Sequence, residues 1–446
     1  MKLLCIADMH LGRVPARLHE ELDGRAAELG PAAAWRRAVD LALEEQVTAV
    51  LLAGDLVDGG NDFFEAFSDL RKGALRLTEA GVQVVAVAGN HDPEVLARLV
   101  QVVPQVRLLG AGGAWEVLDL PVPSQEGAFV RLVGWSVPSR WVSNSPLASP
   151  ELAEALARAA ETTAGRPRAT IGLLHADRDQ AGSRYAPVSS VQLAEAQLDA
   201  WLLGHVHVPD VAVGGSRGYS GGYLGSLSSN DPGEAGARGA WLVRIAEGGA
   251  VEYRHERLAP MRWERLEVDV SGLAAPEDVQ ALLISSLEEL GQDLVAEGAN
   301  PVAVGCRLIL SGRTPFRSEI EQILTETPPG ARLIPIAGAD FFVDEVRLEA
   351  LPQLDLEQLA EQDDPVGLLA ARIVSLRSPG SELRDRLVTK AAPLMAELNG
   401  RSDHGGGFVP LPDEDAVAEL LEEAALKALD ALLSQSDSEG NRSGAR

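Results

Sequence analysis

The chain has two cysteines, four methionines and four tyrosines in 446 residues, and only 39 lysines and arginines against 66 aspartates and glutamates. The cysteines, Cys5 and Cys306, lie far apart in strand-like runs. That excludes a disulfide framework and reads as buried free thiols suited to a reducing cytoplasm. No run of 18 or more apolar residues occurs, so no transmembrane helix and no membrane partner is expected. Met1-Lys2 enters a strand at once, without the charged segment, apolar segment and cleavage site of a secretory leader, and a cytoplasmic location is expected. The shortage of basic residues gives a net charge of −27, of which −9 falls in residues 1–260 and −18 in residues 261–446. Binding to a nucleic acid backbone normally wants a basic face, so this acidity counts mildly against an unaided grip on DNA. It does not exclude one, because net charge governs solubility and association rather than a local groove. Aspartates beside metal ions also sit in a field that the ions invert.

Apolar residues, at 46%, are ample for real cores, and the length suggests two or three domains. The most informative feature is a row of five short motifs, each directly after an apolar run. They are Asp8-Met9-His10, Gly54-Asp55, Gly89-Asn90-His91-Asp92, His175-Ala176-Asp177 and Gly204-His205-Val206-His207. Such runs, bounded by glycine or charge, read as buried strands. In an open α/β sheet the ligand site lies beyond the carboxyl ends of the strands, so five segments would deliver Asp, His and Asn to one place.

Between the first three motifs, residues 31–46 and 63–80 read as helices, giving strand and helix in alternation and a sheet with helices on its faces. Residues 138–150 read as a Ser/Pro-rich loop and 214–225 as a Gly-rich one. Segments 239–245 and 251–255 form a closing hairpin around Glu247-Gly-Gly. We therefore expect a first domain over residues 1–260. A small α/β unit follows over 261–352, with strands at 264–270, 303–311 and 341–348 and helices at 276–290 and 317–325. The rest, 353–446, is expected to be helical. One helix starts at Asp364-Pro365 and runs to about Arg377. A last one begins after Asp413, with a stripe of Val417, Leu420, Leu421, Ala424, Ala428 and Leu432 that would either pack internally or meet a partner. The polar tail from Ser434 is expected to be disordered. The seven tryptophans, spread singly, read as core packing rather than base stacking.

Phosphodiester hydrolysis at neutral pH needs a nucleophile and neutralised phosphoryl oxygens, and two metal ions about 3.5–4 Å apart supply both. A carboxylate must bridge them, and Asp55 is the candidate. Asp8 and His10, and again His205 and His207, are spaced to turn toward one ion each, while Asn90 offers a carbonyl oxygen and His175 a further imidazole. Mixed oxygen and nitrogen ligands fit Mn²⁺, Fe²⁺ or Zn²⁺ better than Mg²⁺ or Ca²⁺. His91, next to Asn90, should point away from the metals, contact the phosphate and protonate the leaving oxygen. Asp92 is assigned to accept its ring proton and fix the tautomer. Five of the eight histidines fall in the motifs. His19, His255 and His404 fit none and read as structural.

In these motifs the chain resembles the calcineurin-like metallophosphoesterases. The extension Asp8-Met9-His10-Leu11-Gly12, the run Tyr223-Leu224-Gly225-Ser226 and the segment from Glu234 to Arg238-Gly239 look like the DNA repair exonuclease branch of SbcD- and YhaO-like proteins. The fold this implies is α/β: a metallophosphoesterase β-sandwich flanked by helices, with a small α/β cap domain and C-terminal helices. The resemblance implies that Asp8, His10, Asp55 and His207 hold one manganese and Asp55, Asn90, His175 and His205 the other. It implies a DNA exonuclease and endonuclease that partners an SbcC-type coiled-coil ATPase through its C-terminal helices, often as a homodimer. Another phosphoesterase of the same fold, acting on nucleotides or small phosphodiesters, is the alternative. Archaeal and eukaryotic relatives carry a histidine where this chain has Asp58, so that residue's role is not transferred.

Overall fold

The computed structural model describes all residues except 59–62, 124, 213–217, 402–413 and 444–446. His404 and Asp413, and part of the Gly-rich loop, therefore lie outside the described residues. The chain forms two compact units, Met1–Ala350 and Leu351–Arg446.

The first unit begins with eleven strands: β1 (Lys2–Ile6), β2 (Ala49–Ala53), β3 (Gln83–Val87), β4 (Val106–Leu108), β5 (Trp115–Pro121), β6 (Phe129–Trp135), β7 (Thr170–His175), β8 (Ala200–Gly204), β9 (Ser220–Tyr223), β10 (Ala240–Ile245) and β11 (Val251–Glu256). They make two sheets, in the orders β11-β10-β1-β2-β3-β4 and β5-β6-β7-β8-β9. The strand-end pattern alone suggests one open sheet; the β-sandwich that the family resemblance implies is what forms, as two sheets. Motif strands β1, β2 and β3 lie in one, and β7 and β8 in the other. Apolar runs could not separate these cases, because every one of these strands is buried on both faces. Alternation along β1 shows how. Leu3 and Cys5 face the opposite sheet, packing with Leu51, Val85, Leu132, Leu173 and Leu202. Leu4 and Ile6 face outward, beneath Trp35, Val39, Leu70 and Leu96 of the covering helices. The second sheet buries its outer face likewise, with Trp201 and Leu203 against Leu152 and Leu193. Burying each such side chain contributes roughly 1.5–3 kcal/mol.

Register brings the motifs level. β1, β2 and β3 are parallel, with Ile6 opposite Leu52 and Leu52 opposite Ala86, and His175 stands opposite Gly204. The expected helices form at Pro31–Glu44 and Phe63–Glu79, and the closing hairpin is β10 with β11. Cys5 and Cys306 are buried free thiols.

Residues beyond Pro260 build a second sheet system within the same unit. Met261–Asp269, Ala303–Ser311 and Ala339–Leu348 pair in parallel, and Ile334–Ile336 adds antiparallel at the edge. Helices Asp278–Ala296 and Arg317–Glu326 cover one face through Leu283, Leu287 and Ile320.

The second unit is helical: Leu356–Ala360, Pro365–Arg377, Glu382–Arg401 and Glu414–Ser443. Asp364 caps the second of these by accepting the Gly367 N–H at 2.8 Å. Two expectations fail here. The last helix continues to Ser443, through the stretch expected to be disordered. Its apolar stripe is Val417, Ala418, Leu421, Ala425 and Leu429, which pack within this unit, while Leu420 is 48% exposed. Rows at a spacing of four decide the face, and the expected set mixes two rows. Among the described residues no helix is long and apolar enough to cross a membrane.

Tryptophans mostly fill cores, with Trp35, Trp201 and Trp263 fully buried, but Trp141 is 56% exposed. His19 caps a short 3₁₀ turn by accepting the Glu21 N–H at 3.3 Å. His255 stacks on Trp241, with ring centroids 4.7 Å apart, and burial pushes its pKa down to about 4.

Candidate metal centre

Each motif places its side chains in the first residues after a strand, where the chain must turn sharply. Asp8, His10, Asp55 and His205 all have positive φ, at 48°, 47°, 51° and 104°. A non-glycine residue in that region costs on the order of 1–3 kcal/mol and persists only when its surroundings impose it. Here the gain is direction: these bends aim side chains from two sheets at one another. The motif glycines are explained by the same crowding. A Cβ on Gly89 would lie 2.1 Å from Asp55 Oδ1, and one on Gly54 would lie 2.4 Å from His175 Nδ1.

The seven expected ligands converge in two groups. In the first, ligand atoms of Asp8, His10 and His207 all lie within 4.8 Å of one another, with the Nε2 atoms of His10 and His207 3.2 Å apart. In the second, Asp8, Asp55 and His175 meet the same limit. Asn90 joins it, its Oδ1 lying 3.0 Å from His175 Nε2 and 3.0 Å from His205 Nδ1. Asp8 belongs to both groups, and its two oxygens accept the His205 N–H at 3.1 Å.

Tautomers show what this cluster asks for. His175 Nδ1 donates to the Ala53 carbonyl at 3.0 Å. Its Nε2 then faces Asn90 Oδ1 at 3.0 Å and Asp55 Oδ2 at 3.3 Å. In a neutral ring that is a lone pair against two oxygens, so a cation belongs there, either a proton or a metal ion. His207 repeats the arrangement. Its Nδ1 is hydrogen-bonded to Glu234, which leaves the Nε2 lone pair toward His10. A mixed set of carboxylate, carboxamide and imidazole donors, with His175 and His207 steadied at the far nitrogen, fits a pair of divalent transition-metal ions.

Protonation follows the same logic. Burial opposes charge on His175, but Asp55, Asp8 and the Ala53 carbonyl together outweigh it and the pKa rises to about 9. Burial opposes ionisation of Asp55 too, and His175 and His10 reverse that, holding it well below the usual carboxylate range. Asp8, fully buried, is pushed up to about 6 chiefly by desolvation. His10 and His205 are pushed down by burial to about 3 and about 4.

His91 belongs to neither ligand group, although its ring lies 5.4 Å from that of His10. Its backbone N–H donates to Asp55 Oδ1 at 2.8 Å, while its ring, about one-third exposed, turns to the rim. The assignment of Asp92 as its partner is incorrect. Asp92 is fully buried, and its carboxylate accepts the Gly89, Leu56 and Val57 N–H groups at 2.8, 2.6 and 3.4 Å. It occupies the N-cap position of the helix Pro93–Val102 without capping it, and ties the second motif to the third instead. Burial, with Asp55 nearby, raises its pKa to about 7. The carboxylate beside His91 is Asp58, whose Oδ1 lies 2.5 Å from His91 Nδ1. Asp58 also pairs with Arg13, and although burial opposes its charge, Arg13 keeps its pKa below the usual value. Adjacency in sequence favours Asp92. At the start of a helix, neighbouring side chains diverge, and Asp58 comes from another strand end. Glu234, known from sequence only as part of a family-like run, holds His207 and accepts the Asn230 N–H at 2.7 Å.

Residues 1–209 match the calcineurin-like phosphoesterase family, and residues 263–351 match the middle domain of metallophosphoesterase YhaO. The chain is 28% identical over 378 residues to the uncharacterized metallophosphoesterase YhaO of Bacillus subtilis (strain 168), covering 79% of this chain and 77% of that one. It is 36% identical over 97 residues to a subunit of the nuclease SbcCD from Rhodobacter capsulatus, covering 21% of this chain and 22% of that protein. Over 93 residues it is 36% identical to the DNA double-strand break repair protein Mre11 of Aeropyrum pernix, covering 20% of this chain and 21% of that protein. Residues 1–209 thus carry the calcineurin-like phosphoesterase match, and that family is one of hydrolases that bind two divalent metals through Asp and His residues.

Proposed function

We propose that this metallophosphoesterase is a manganese-dependent DNA exonuclease and endonuclease acting in repair, the nuclease component of a complex with an SbcC-type coiled-coil ATPase. The observation that carries hydrolysis is the convergence of seven ligand side chains from five strand ends, with His91 on the rim beside them. The choice of DNA is supported by the partial likeness to the SbcCD nuclease and to Mre11. The choice of partner rests on the helical second unit, which leaves Leu368 and Leu420 exposed as apolar contacts.

Asp8, His10, Asp55 and His207 would hold one ion, and Asp55, Asn90, His175 and His205 the other. Bound there, two divalent ions supply a nucleophile at neutral pH and neutralise the phosphoryl oxygens. The chain's own residues do the rest. His91 donates a proton from Nε2 to the departing oxygen, a contribution of typically 10²–10⁴-fold. Asp58 at Nδ1 fixes which ring nitrogen faces the substrate, and Arg13 fixes Asp58. Glu234 keeps His207 turned inward.

With Mn²⁺, purified protein should degrade linear DNA. His91→Ala should abolish this while metal content stays near two per chain. Cleavage of a small phosphodiester with DNA left intact would replace this reading with the small-substrate phosphoesterase.

A further inference from the structure

Trp141 departs from the pattern of the other tryptophans. It is 56% exposed, whereas the remaining six are buried or half-buried. Two guanidinium groups lie over its ring: Arg140 at 5.4 Å and Arg184 at 5.9 Å from the centroid. All three side chains reach solvent, so this is a surface assembly and not the edge of a core. Its place in the fold is fixed by backbone. Val142 N–H donates to the Arg184 carbonyl and Ala186 N–H to the Val142 carbonyl, both at 2.8 Å, which bridges Val142 to Tyr185. Tyr185 in turn lies against the metal centre, its ring 5.1 Å from that of His205. The loop carrying Trp141 is therefore pinned to the wall of the centre, and Trp141 stands one residue from the pin.

An exposed indole with two guanidinium groups is the chemistry that unpaired nucleobases use. Aromatic rings and arginine planes both stack on a base, whatever its identity, and the arginine charge meets the adjoining phosphates. A small phosphodiester without a base has no use for it.

We propose that Trp141, together with Arg140 and Arg184, is a stacking platform for an unpaired base of the strand whose phosphodiester lies at the metal centre. This rests on the phosphodiesterase reading above and narrows its substrate to strands with unstacked bases. A base stacks on the indole with the arginine charges beside it, so that binding rather than metal content depends on the tryptophan.

The test is binding of a fluorescein-labelled oligothymidine single strand to the full chain in EDTA, with the same backbone built of abasic residues as comparison. Truncating a base-stacking aromatic weakens binding by about 5- to 150-fold. Trp141→Ala should lose that factor for oligothymidine and nothing for the abasic strand, and Trp141→Phe should keep most of the affinity. The base-bearing strand should also quench tryptophan fluorescence in the wild type and fail to do so in Trp141→Ala. An unchanged thermal midpoint shows that the variant folds. Equal affinity of Trp141→Ala and wild type for oligothymidine, or equal loss for both strands, overturns the platform. A wild-type protein that with Mn²⁺ cleaves neither DNA nor a small diester overturns the phosphodiesterase reading instead, so the two failures are distinct.

Discussion

Replacing Gly89 by alanine puts a methyl group where the Asp55 carboxylate sits. The new Cβ would lie 2.1 Å from Asp55 Oδ1 and 2.6 Å from the Asp55 amide nitrogen. Ordinary contact needs about 3.5 Å or more, so the carboxylate must move by more than about 1 Å. It cannot do so freely. Asp55 accepts the His91 N–H at 2.8 Å, and its φ of 51° leaves little room for adjustment. Gly89 itself does not have positive φ, so alanine meets no backbone penalty there and the effect isolates steric crowding. Misplacing a reacting group by 1 Å costs on the order of 100-fold in rate, and overpacking costs about 1–3 kcal/mol of stability. We expect Gly89→Ala to bind metal more weakly and to lose about two orders of magnitude in phosphodiester turnover, with a lowered thermal midpoint. Gly24→Ala, where a Cβ meets nothing within 4 Å, should match the wild type. Metal analysis, turnover and thermal melting together decide it. Full metal loading and wild-type turnover in Gly89→Ala would refute the claim that this packing sets the position of Asp55.

The two acidic neighbours of the third motif should separate cleanly. Asp92→Ala leaves the buried Gly89, Leu56 and Val57 N–H groups without their acceptor, at about 1–3 kcal/mol for an unsatisfied group; chemical denaturation should show the loss. Asp58→Ala should melt close to the wild type yet lower turnover by roughly 10- to 100-fold, within the span of acid catalysis, and equal effects of the two substitutions would refute the division of roles. For pH, the metal-free His175 pKa is raised from 6.5 to about 9. The stability it contributes to the metal-free chain is therefore fully present below about pH 6.5 and is lost as pH rises through about 9. Because a ligating imidazole must be deprotonated, metal binding at pH 7 should release a proton. Calorimetry in buffers of different ionisation enthalpy would measure it, and buffer-independent heats would contradict the protonated state.

Parts of the fold are legible from local chemistry alone. Asp364 followed by Pro365 marks a helix start, and the folded chain has that cap with its Gly367 hydrogen bond. Glu247-Gly-Gly between two apolar segments marks the β10–β11 hairpin. The helix Glu382–Arg401 carries no such signal. Pro393 lies inside it, and among its described side chains the packed residues Val388, Ala391 and Ala392 are too few to give a stripe. The site residues are readable as types and positions, since each follows a run too apolar to be anything but a buried strand. Their partners are not. Asp58, Glu234 and Trp141 take their roles from neighbours distant in sequence, such as Asp58 from His91 and Glu234 from His207, and no local pattern encodes those pairings.

The division of the motifs between two sheets has a consequence for synthesis. A growing chain that has emerged only through β3 and its motif carries Asp8, His10, Asp55 and Asn90, all from the strand ends of one sheet. The imidazoles of His175, His205 and His207 arrive more than 80 residues later, with β7 and β8. Until the second sheet docks on the first, the nascent chain offers an incomplete coordination sphere, weak and open to the wrong ion. Capture of the proposed metal pair would therefore be a late event, timed by the pairing of the sheets.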